Sequence, residues 1–327
     1  MTIIARPLAL GACAVALAVS TLGAPTPALA AYPERPVRLV VPFAPGGGTD
    51  QVARLLATGL SQALGQSVVV ENKPGAGTVI GTDQVAKSPA DGYAVLVATF
   101  SHAVNPSLRD KLPYDTATAF APVALIARGP NVLVVPATSP YKSVAELLAG
   151  ARAAPKGLTF ASQGSGTSAH LAGEMFISLT RANLLHVPYK GAGPALTDLI
   201  GGQVDMMFAT AAAVSKHVSS GKLRALAVTS PEHSASFPGV SPLAEAVPGY
   251  AVESWYGLFV PAGTPQAVIR QLNEAVRSAV RRDDFRVKVE SEGLSIQAST
   301  PAELDAYVNA EAARWRKVVN DMQMKGK

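Results

Sequence analysis

The stretch VRLVVPFAPGGGTD, residues 37–50, passes from a compact apolar run into three consecutive glycines and then into a Thr-Asp pair. The run before the glycines is rich in β-branched residues and predicts a strand. Apolar residues then recur every four positions and predict a helix over 49–64, which Gly65 would end. Because consecutive glycines weaken both helices and strands, we expect this bare backbone to be needed for a close approach.

The same order of strand, small-residue loop and helix returns in the second half, in LTFASQGSGTSAHLAGEMF at 158–176. Each loop would lead into a helix N-terminus, where about four backbone N–H groups lack intrahelical partners. The helix dipole adds roughly half a positive charge at that end. The sequence therefore predicts one small-anion receiver in each half. Shorter turns at 72–78 and 189–194 repeat the arrangement more loosely.

The rest of the chain alternates short apolar runs with amphipathic segments, which predicts parallel α/β sheets in both halves. Two long β-rich stretches, 120–137 and 252–265, contain no helical pattern and would carry the chain from one half to the other and back. A helical tail follows. It consists of a helix over 265–282 with Thr264 as its cap and a helix over 300–322 that opens with a capping box.

Residues 1–30 have the pattern of a secretory signal peptide: one early arginine, an apolar run and an Ala-x-Ala site ending at Ala30. We therefore expect export to the periplasm with cleavage near Ala30. Two alternatives are a retained membrane anchor and lipidation at Cys13, whose preceding apolar run is short for a lipoprotein signal. The chain has no other cysteine, so the mature protein would fold without disulfides.

The formal net charge of +5 and the 16% of charged residues suit a soluble protein whose overall field attracts small anions. The basic residues are dispersed, and the one dense pair, Arg281-Arg282, is followed by Asp283-Asp284. This distribution speaks against a nucleic-acid partner.

The sequence contains no complete catalytic or cofactor motif. A P-loop is absent, and GSGTSA at 164–169 fits a loose dinucleotide pattern without the acidic residue expected near 181–191. The nucleophile elbow G-x-S-x-G is missing, and SPYK at 139–142 lacks its companion motifs. The five histidines are scattered, so we expect no metal, no cofactor and no enzyme activity.

In its loops and their order, the chain resembles the Bug-type periplasmic solute-binding proteins, the receptors of tripartite tricarboxylate transporters. The resemblance runs from YPERPVRLVVPFAPGGGTD through VVVENKPGAG, LTFASQGSGTSAHLAGEMF, HVPYKGAGPALTDLIGGQVDMMF and WYGLFVPAGTP. It implies an α/β, two-domain periplasmic binding protein of the type II clamshell class, in which each lobe is a sheet flanked by helices and the ligand cleft lies between lobes. Residues 31–133 with 255–327 would form the first lobe, and 134–254 the second.

The resemblance also implies which residues bind the ligand, mainly through amides, hydroxyls and ordered water. The first lobe would contribute Phe43, Ala44, Gly47, Thr49, Asp50, Gly75 and Ser101. The second lobe would contribute Ser162, Gly164, Gly166, Thr167, Ser168, His170, Tyr189, Lys190, Gly191 and Asp205. The chain departs from the family pattern at Thr78, where the family turn P-G-A-G-G ends in glycine, and we expect this to change which ligand fits.

We therefore expect a monomeric receptor that closes on a small organic carboxylate and delivers it to integral-membrane transporter subunits. Di- or tricarboxylates, other organic acids and amino acids remain open as ligands. Two other interpretations remain: a periplasmic sensor that presents its bound state to a signalling partner, and an exported enzyme acting on a small organic acid.

Overall fold

The computed structural model describes residues 1–3 and 32–324. The chain from Pro33 onward forms a single compact unit. The predicted leader, its cleavage site at Ala30 and Cys13 lie outside the described residues.

The strands of this unit are short except for two long ones. They are β1 (Val37–Val41), β2 (Val68–Asn72), β3 (Ala94–Thr99), β4 (Phe120–Pro136), β5 (Leu158–Ser162), β6 (Leu184–Pro188), β7 (Met206–Thr210), β8 (Leu223–Val228), β9 (Glu253–Pro261) and β10 (Ser295–Ile296).

Helices follow most of the strands. They are α1 (Gly48–Leu64), α2 (Val79–Ala86), α3 (Phe100–Leu108), α4 (Val144–Ala153), α5 (Ser168–Thr180), α6 (Ala192–Ile200), α7 (Ala211–Ser219), α8 (Leu243–Ala246), α9 (Gln266–Val280), α10 (Asp283–Ser291) and α11 (Pro301–Asp321).

The strands form two sheets that share β4. In the first sheet the order is β2-β1-β3-β9-β4, with β1 parallel to β2 and β3, and β9 antiparallel to both of its neighbours. In the second sheet β4 is followed by β7, β5 and β6, and β5 is parallel to β6 and β7. The predicted parallel α/β core is therefore confirmed in both halves, with antiparallel strands added where the sheets meet.

Strand β4 changes its neighbours in the middle of its length. Up to Pro130 it pairs with β9 in the first sheet, where β10 adds a short antiparallel contact. From Asn131 it pairs with β7 and β8 in the second sheet. This confirms the predicted crossing at 120–137. Strand β9 lies within the second predicted crossing, where the chain returns to the first sheet.

Apolar burial explains why these elements form where they do. The residues Leu39, Val40 and Val41 of β1 are fully buried, as expected for a strand covered on both faces. Helix α1 buries its stripe of Val52, Leu56 and Leu60. It ends at Gly65, which has the left-handed conformation of a C-terminal cap. The capping box predicted at Thr300 is also present.

Four helices, α3, α7, α8 and α10, were not predicted from the sequence. Helices α3 and α7 start at the residue that follows a buried strand, so a single apolar run covers both elements and hides the change of period. The prediction of Thr264 as a helix cap was wrong. Its hydroxyl donates to the carbonyl of Pro261 at 2.7 Å, and α9 begins at Gln266 after Pro265.

Candidate functional site

A cavity of about 500 Å³ opens where the loops of the two sheets face each other. Its wall contains Pro42, Phe43, Gly75, Ala76, Gly77, Thr78, Leu108, Arg109, Asp110, Lys111, Gln163, Gly164, Ser165, Gly166, His170, Pro188, Tyr189 and Lys190. The predicted residues among them are Phe43, Gly75, Gly164, Gly166, His170, Tyr189 and Lys190. The volume is within the range of small-molecule sites, and loops from both halves contribute to it.

The carboxylate of Asp50 holds the glycine loop after β1 in place through hydrogen bonds. It accepts the N–H of Gly46 at 3.0 Å, Nε of Arg54 at 3.0 Å and Nδ2 of Asn72 at 2.9 Å. Burial raises the pKa of Asp50, but these hydrogen bonds and the Arg54 charge outweigh it, and the pKa lies below the usual value. Asp50 therefore braces the loop through its carboxylate.

The first turn of α1 faces the second sheet. A Cβ placed on Gly48 would lie 2.7 Å from Oγ1 of Thr210 and 3.1 Å from the backbone nitrogen of Ala213. A Cβ on Gly47 would lie 3.2 Å from Cβ of Ala192. The N-termini of α1, α6 and α7 thus come close together, and their partial positive charges favour an anion beside them.

Buried polar atoms without partners lie directly before α7, on the neighbouring strand β4 and in the first turn of α3. Among the described residues, Oγ of Ser101, Nδ2 of Asn131 and Oγ1 of Thr210 make no hydrogen bond, although all three side chains are buried. Asn131 pairs with Thr210 across β4 and β7, and its Oδ1 accepts the hydroxyl of Ser168 at 3.1 Å. Leaving such groups unsatisfied costs about 1–3 kcal/mol each, so they are candidates for ligand or water contacts.

The second glycine loop, after β5, uses much of its hydrogen-bonding capacity internally. The N–H of Gly164 donates to Oγ of Ser162 at 3.1 Å, and the N–H of Gly166 donates to Nδ1 of His170 at 3.1 Å. Thr167 caps α5 by accepting the N–H of His170, and its hydroxyl donates to the carbonyl of Gly164 at 2.7 Å. The amides of Gly164 and Gly166 therefore already have partners in and beside the loop.

His170 lies in a stack of rings beneath this loop. Its ring centroid is 4.2 Å from that of His186, which stacks in turn on Phe160 at 4.8 Å. Burial, with the neighbouring His186 and Arg109 charges, lowers the pKa of His170 to about 3, and burial lowers the pKa of His186 to about 4. At neutral pH both rings are uncharged. His170 must be uncharged for its Nδ1 to accept the N–H of Gly166.

Ser162 and His186 also form a close pair, with 2.7 Å between Oγ and Nε2. Ser162 is fully buried behind the loop and already accepts the amide of Gly164. The pair therefore supports the loop and does not present a nucleophile to the cavity.

Positive charge surrounds the cavity. Arg109, Lys111 and Lys190 belong to its wall, and among the described residues of that wall Asp110 is the one acid. Arg109 also donates from Nη2 to the carbonyl of Ala76 at 2.8 Å, which fixes the guanidinium beside the cavity. Of these three residues only Lys190 is predicted from the sequence, since the short charged run of Arg109 and Lys111 after an apolar segment resembles a solvated helix end.

The turn at 75–78 closes the cavity on the first-sheet side. Nδ2 of Asn105 donates to the carbonyl of Gly77 at 3.0 Å, and Gly77 lies so close to the carbonyl of Ser165 that a Cβ could not be accommodated. Thr78 has a φ of +81°, which is unusual for a β-branched residue. The departure from the family pattern therefore places a side chain in the cavity wall at a strained backbone position.

The two halves are in direct contact beside the cavity. The N–H of Ala44 donates to the carbonyl of Lys190 at 3.0 Å, and Gly191 follows at a point where a Cβ would lie 3.0 Å from the nitrogen of Ala44. The hydroxyl of Tyr189 donates to Asp198 at 2.6 Å, so Tyr189 offers its ring and not its hydroxyl to the cavity.

The remaining predicted residues are not part of this wall: Ala44, Gly47, Thr49, Asp50, Ser101, Ser162, Thr167, Ser168, Gly191 and Asp205. Asp205 directly precedes β7, whereas the loops that line the cavity follow the opposite, carboxyl ends of the parallel strands. Its carboxylate accepts the N–H and the hydroxyl of Thr159, each at 2.7 Å. Thr49 is buried in the first turn of α1.

Asn131 and Thr210 were not predicted, although the sequence contains a signal for each. Asn131 directly precedes the apolar run of the second half of β4, and Thr210 ends a buried strand as Thr99 and Ser162 do. Within residues 1–3 and 32–324, no cluster of three or more potential metal ligands is found, and no helix is long and apolar enough to cross a membrane.

Comparisons with known proteins agree with this architecture. The model of the tripartite tricarboxylate transporter family receptor, TctC, matches residues 52–324. Protein BugT of Bordetella pertussis is 38% identical over 311 residues, which cover 94% of this chain and 95% of BugT.

Two solved structures are also similar. The periplasmic binding protein BugD superposes with a TM-score of 0.88 at 35% identity, covering 90% of this chain and 99% of BugD. R. palustris Rpa4515 with adipate superposes with a TM-score of 0.85 at 38% identity, covering 89% of this chain and 98% of Rpa4515. These proteins are binding proteins, and they confirm the α/β periplasmic-binding-protein fold with a cleft. The chain belongs to the tripartite tricarboxylate transporter receptor family.

Proposed function

We propose that this protein is an extracytoplasmic receptor that captures a small organic carboxylate in the cavity between its two sheets and delivers it to a tripartite tricarboxylate transporter. One observation carries the proposal: helix N-termini from both sheets meet beside a cavity whose described wall has Arg109, Lys111 and Lys190 against Asp110 alone. Such a site stabilises negative charge from several directions.

The carboxylate would take the polar groups that the fold leaves unsatisfied. These are the first-turn amides of α1 at Gly48 and Thr49, which lack intrahelical partners, and the buried atoms of Ser101, Asn131 and Thr210. The second loop would act mainly through its shape, because Gly164 and Gly166 already have partners. Excluding water from this region strengthens each donor, since charges interact more strongly at low dielectric.

Closure of two lobes would couple binding to recognition by the membrane partner. In this proposal residues 31–133 with 255–327 form one lobe and 134–254 the other, and β4 and β9 act as the hinge. The bond from Ala44 to Lys190 would belong to the closed state, since it joins a loop of each lobe. An open form would lose this bond and expose the cavity.

The adipate held by R. palustris Rpa4515, at 38% identity, supports a dicarboxylate as the first ligand to test. Export with cleavage near Ala30 would place the receptor in the periplasm. We also propose that it acts as a monomer, since one chain supplies loops to both sides of the cavity.

Calorimetric titration with a panel of acids tests the proposal, after unfolding and refolding to remove any co-purified ligand. The panel contains adipate, malate, succinate, glutamate and benzoate, with adipamide as the uncharged match to adipate. We expect at least one acid to bind one to one with a Kd of about 1 μM, and adipamide to bind at least ~100-fold more weakly. Saturation by none of the acids, or equal binding of adipamide, would contradict the proposal.

Delivery needs a separate measurement. Deleting the receptor gene should abolish uptake of the acid that binds, and purified receptor added to spheroplasts should restore it. A variant whose closure is obstructed, such as Gly48→Ala below, should restore less uptake even at concentrations of acid that saturate it. Unchanged uptake in the deletion strain would favour the sensor interpretation.

A further inference from the structure

A second cavity, of about 490 Å³, lies on the far side of α3 from the carboxylate cavity. The end of α3 faces the first cavity through Leu108 and Arg109, and the helix faces the second through His102 and Pro106. The other walls of the second cavity are the start of β4, strand β9 and helix α11. Among the described residues, the two cavities therefore share no lining residue.

The wall of the second cavity is largely aromatic and aliphatic. The ring of His102 lies between Phe120, at a centroid distance of 5.1 Å, and Phe259, at 4.5 Å. Val308 and Ala312 of α11 form the opposite wall. Flat rings and methyl groups of this kind suit a planar apolar ligand, which gains area burial and edge-to-face ring contacts together.

Two polar atoms in this wall have no partner. Nδ1 of His102 and Oγ1 of Thr116 are buried and make no hydrogen bond with any described residue, and His102 as a whole is 6% exposed. An unsatisfied buried polar group is uncommon in a folded protein and needs an explanation. A ligand that supplies the missing hydrogen bonds is such an explanation.

The charges around this cavity differ from those around the first. Asp115 and Asp305 lie on its wall, with Arg316 as the one cation among the described lining residues. Burial also lowers the pKa of His102 to about 4, so the ring is neutral at pH 7. An anion would therefore meet an excess of negative charge.

We propose that the second cavity binds a small uncharged aromatic compound that carries a hydroxyl group. The ring fits between the aromatic and aliphatic walls, and the hydroxyl pairs with His102 or Thr116. A hydroxyl both donates and accepts, so it complements a neutral imidazole in either tautomer. The site is independent of the carboxylate cavity and of the function proposed for it.

Fluorescence titration with 2-naphthol at pH 7 tests this inference. We expect saturable binding with a Kd of about 0.1 mM, in the range for a ligand of this size. Two matched compounds define the chemistry: 2-naphthoate has the same rings with a negative charge, and 2-methoxynaphthalene has no hydroxyl proton. Each should bind at least ~10-fold more weakly. Equal binding of either compound, or no saturation by 2-naphthol, overturns the inference.

Paired variants locate the site. Ala312→Phe fills the cavity and should abolish binding, whereas Ala313→Phe, on the exposed side of the same helix, should leave it unchanged. Thr116→Val removes one unpartnered hydroxyl at constant shape and should weaken binding by ~3-fold or more. Binding by Ala312→Phe at full strength overturns the inference.

Gly48→Ala supplies the remaining control, because it obstructs the approach of the two sheets beside the first cavity and leaves the second cavity intact. We expect this variant to bind 2-naphthol as the parent protein does. Loss of 2-naphthol binding would show that the probe occupies the carboxylate cavity, and the inference would fail. Circular dichroism spectra of all variants establish that each one is folded.

Discussion

The two glycine loops of this protein have the same sequence pattern and different chemistry. The loop after β1 is braced by Asp50, which binds Gly46, Arg54 and Asn72 and leaves the first turn of α1 facing the other half. The loop after β5 satisfies its own amides through Ser162 and His170. Similar strand-loop-helix units can therefore divide a binding task, with one supplying donors and the other a rigid wall.

The difference follows from which side chain lies behind each loop. Behind the first loop, the Asp50 carboxylate accepts from the amide of Gly46 and from the side chains of Arg54 and Asn72. It fixes the loop in this way without forming bonds to the first-turn amides of α1. Behind the second loop, the neutral imidazole of His170 accepts the N–H of Gly166. This amide is therefore not available to donate to a ligand. The five predictions that follow test this difference between the two loops and the residues packed around them, beginning with the largest expected effect.

Acid should destabilise the protein through its buried histidines. Burial holds the pKa of His102 at about 4 and the pKa of His170 at about 3, below the unfolded value of roughly 6.5. Their neutral forms thus stabilise the fold fully above the unfolded pKa, and this contribution is lost as pH falls toward the folded values. We expect about 2 kcal/mol per ring to be lost between pH 7 and pH 5. Urea unfolding across this range measures it, and a flat profile would contradict the prediction.

Gly48→Ala should prevent close approach of the first loop to the second sheet. The added methyl group would lie 2.7 Å from Oγ1 of Thr210 and 3.0 Å from Cβ of Ala212. Overpacking costs about 1–3 kcal/mol, so carboxylate affinity should fall by up to ~100-fold while the melting temperature changes little. Gly46→Asn is the control, since Gly46 is in the same loop, has a left-handed φ that Asn tolerates and has space around it for a side chain. Equal affinities for both variants would argue against this close approach.

Asp50→Asn should loosen the first loop. Asparagine has no charge and one acceptor oxygen instead of two, so it cannot accept from Gly46 and Arg54 on one side and from Asn72 on the other. We expect a cost of about 2 kcal/mol in the free energy of unfolding, and a fall in ligand affinity as the loop moves. Asp205→Asn serves as the match, because it removes the charge that strengthens the two bonds from Thr159 at the other end of the second sheet. It should lower stability without changing affinity. A loss of affinity in Asp205→Asn would restore that residue to the binding site.

His170→Phe should release the second loop. The N–H of Gly166 would lose its acceptor, and we expect a ~10-fold loss of carboxylate affinity from the altered cavity wall. His170→Asn keeps an acceptor near the position of Nδ1 and should recover most of the affinity. If both variants bind alike, the acceptor role of His170 is wrong and only its ring packing matters.

Thr78→Gly should have the smallest effect, and on stability a favourable one. Glycine adopts the left-handed φ of this position without strain, but it costs more backbone entropy on folding, so we expect a net gain of about 0.5–1 kcal/mol. Removing the side chain also widens the cavity and should change the ratio of adipate to succinate affinity. Thermal unfolding and calorimetry measure the two effects, and a loss of stability would show that the bond from Asn105 to Thr78 matters more than the strain.

The sequence determined most of the strands and the longer helices and their order, because local periodicity, glycine caps and capping boxes report on short segments. Helix α1, the crossing strands β4 and β9, and the box at Thr300 all follow from patterns confined to a few turns of chain. The family likeness named residues of both loops for the same reason, since the loops are continuous in sequence.

Only the tertiary structure decided which polar groups remain available. Whether Gly166 is free depends on His170, whether α1 reaches Thr210 depends on the packing of two sheets, and Arg109 enters the cavity wall because α3 ends there. Asp205 directly precedes β7 and therefore lies at the end of the strand opposite the cavity. Hydrogen-bond satisfaction and charge proximity depend on distances between segments far apart in sequence, and no local pattern contains those distances.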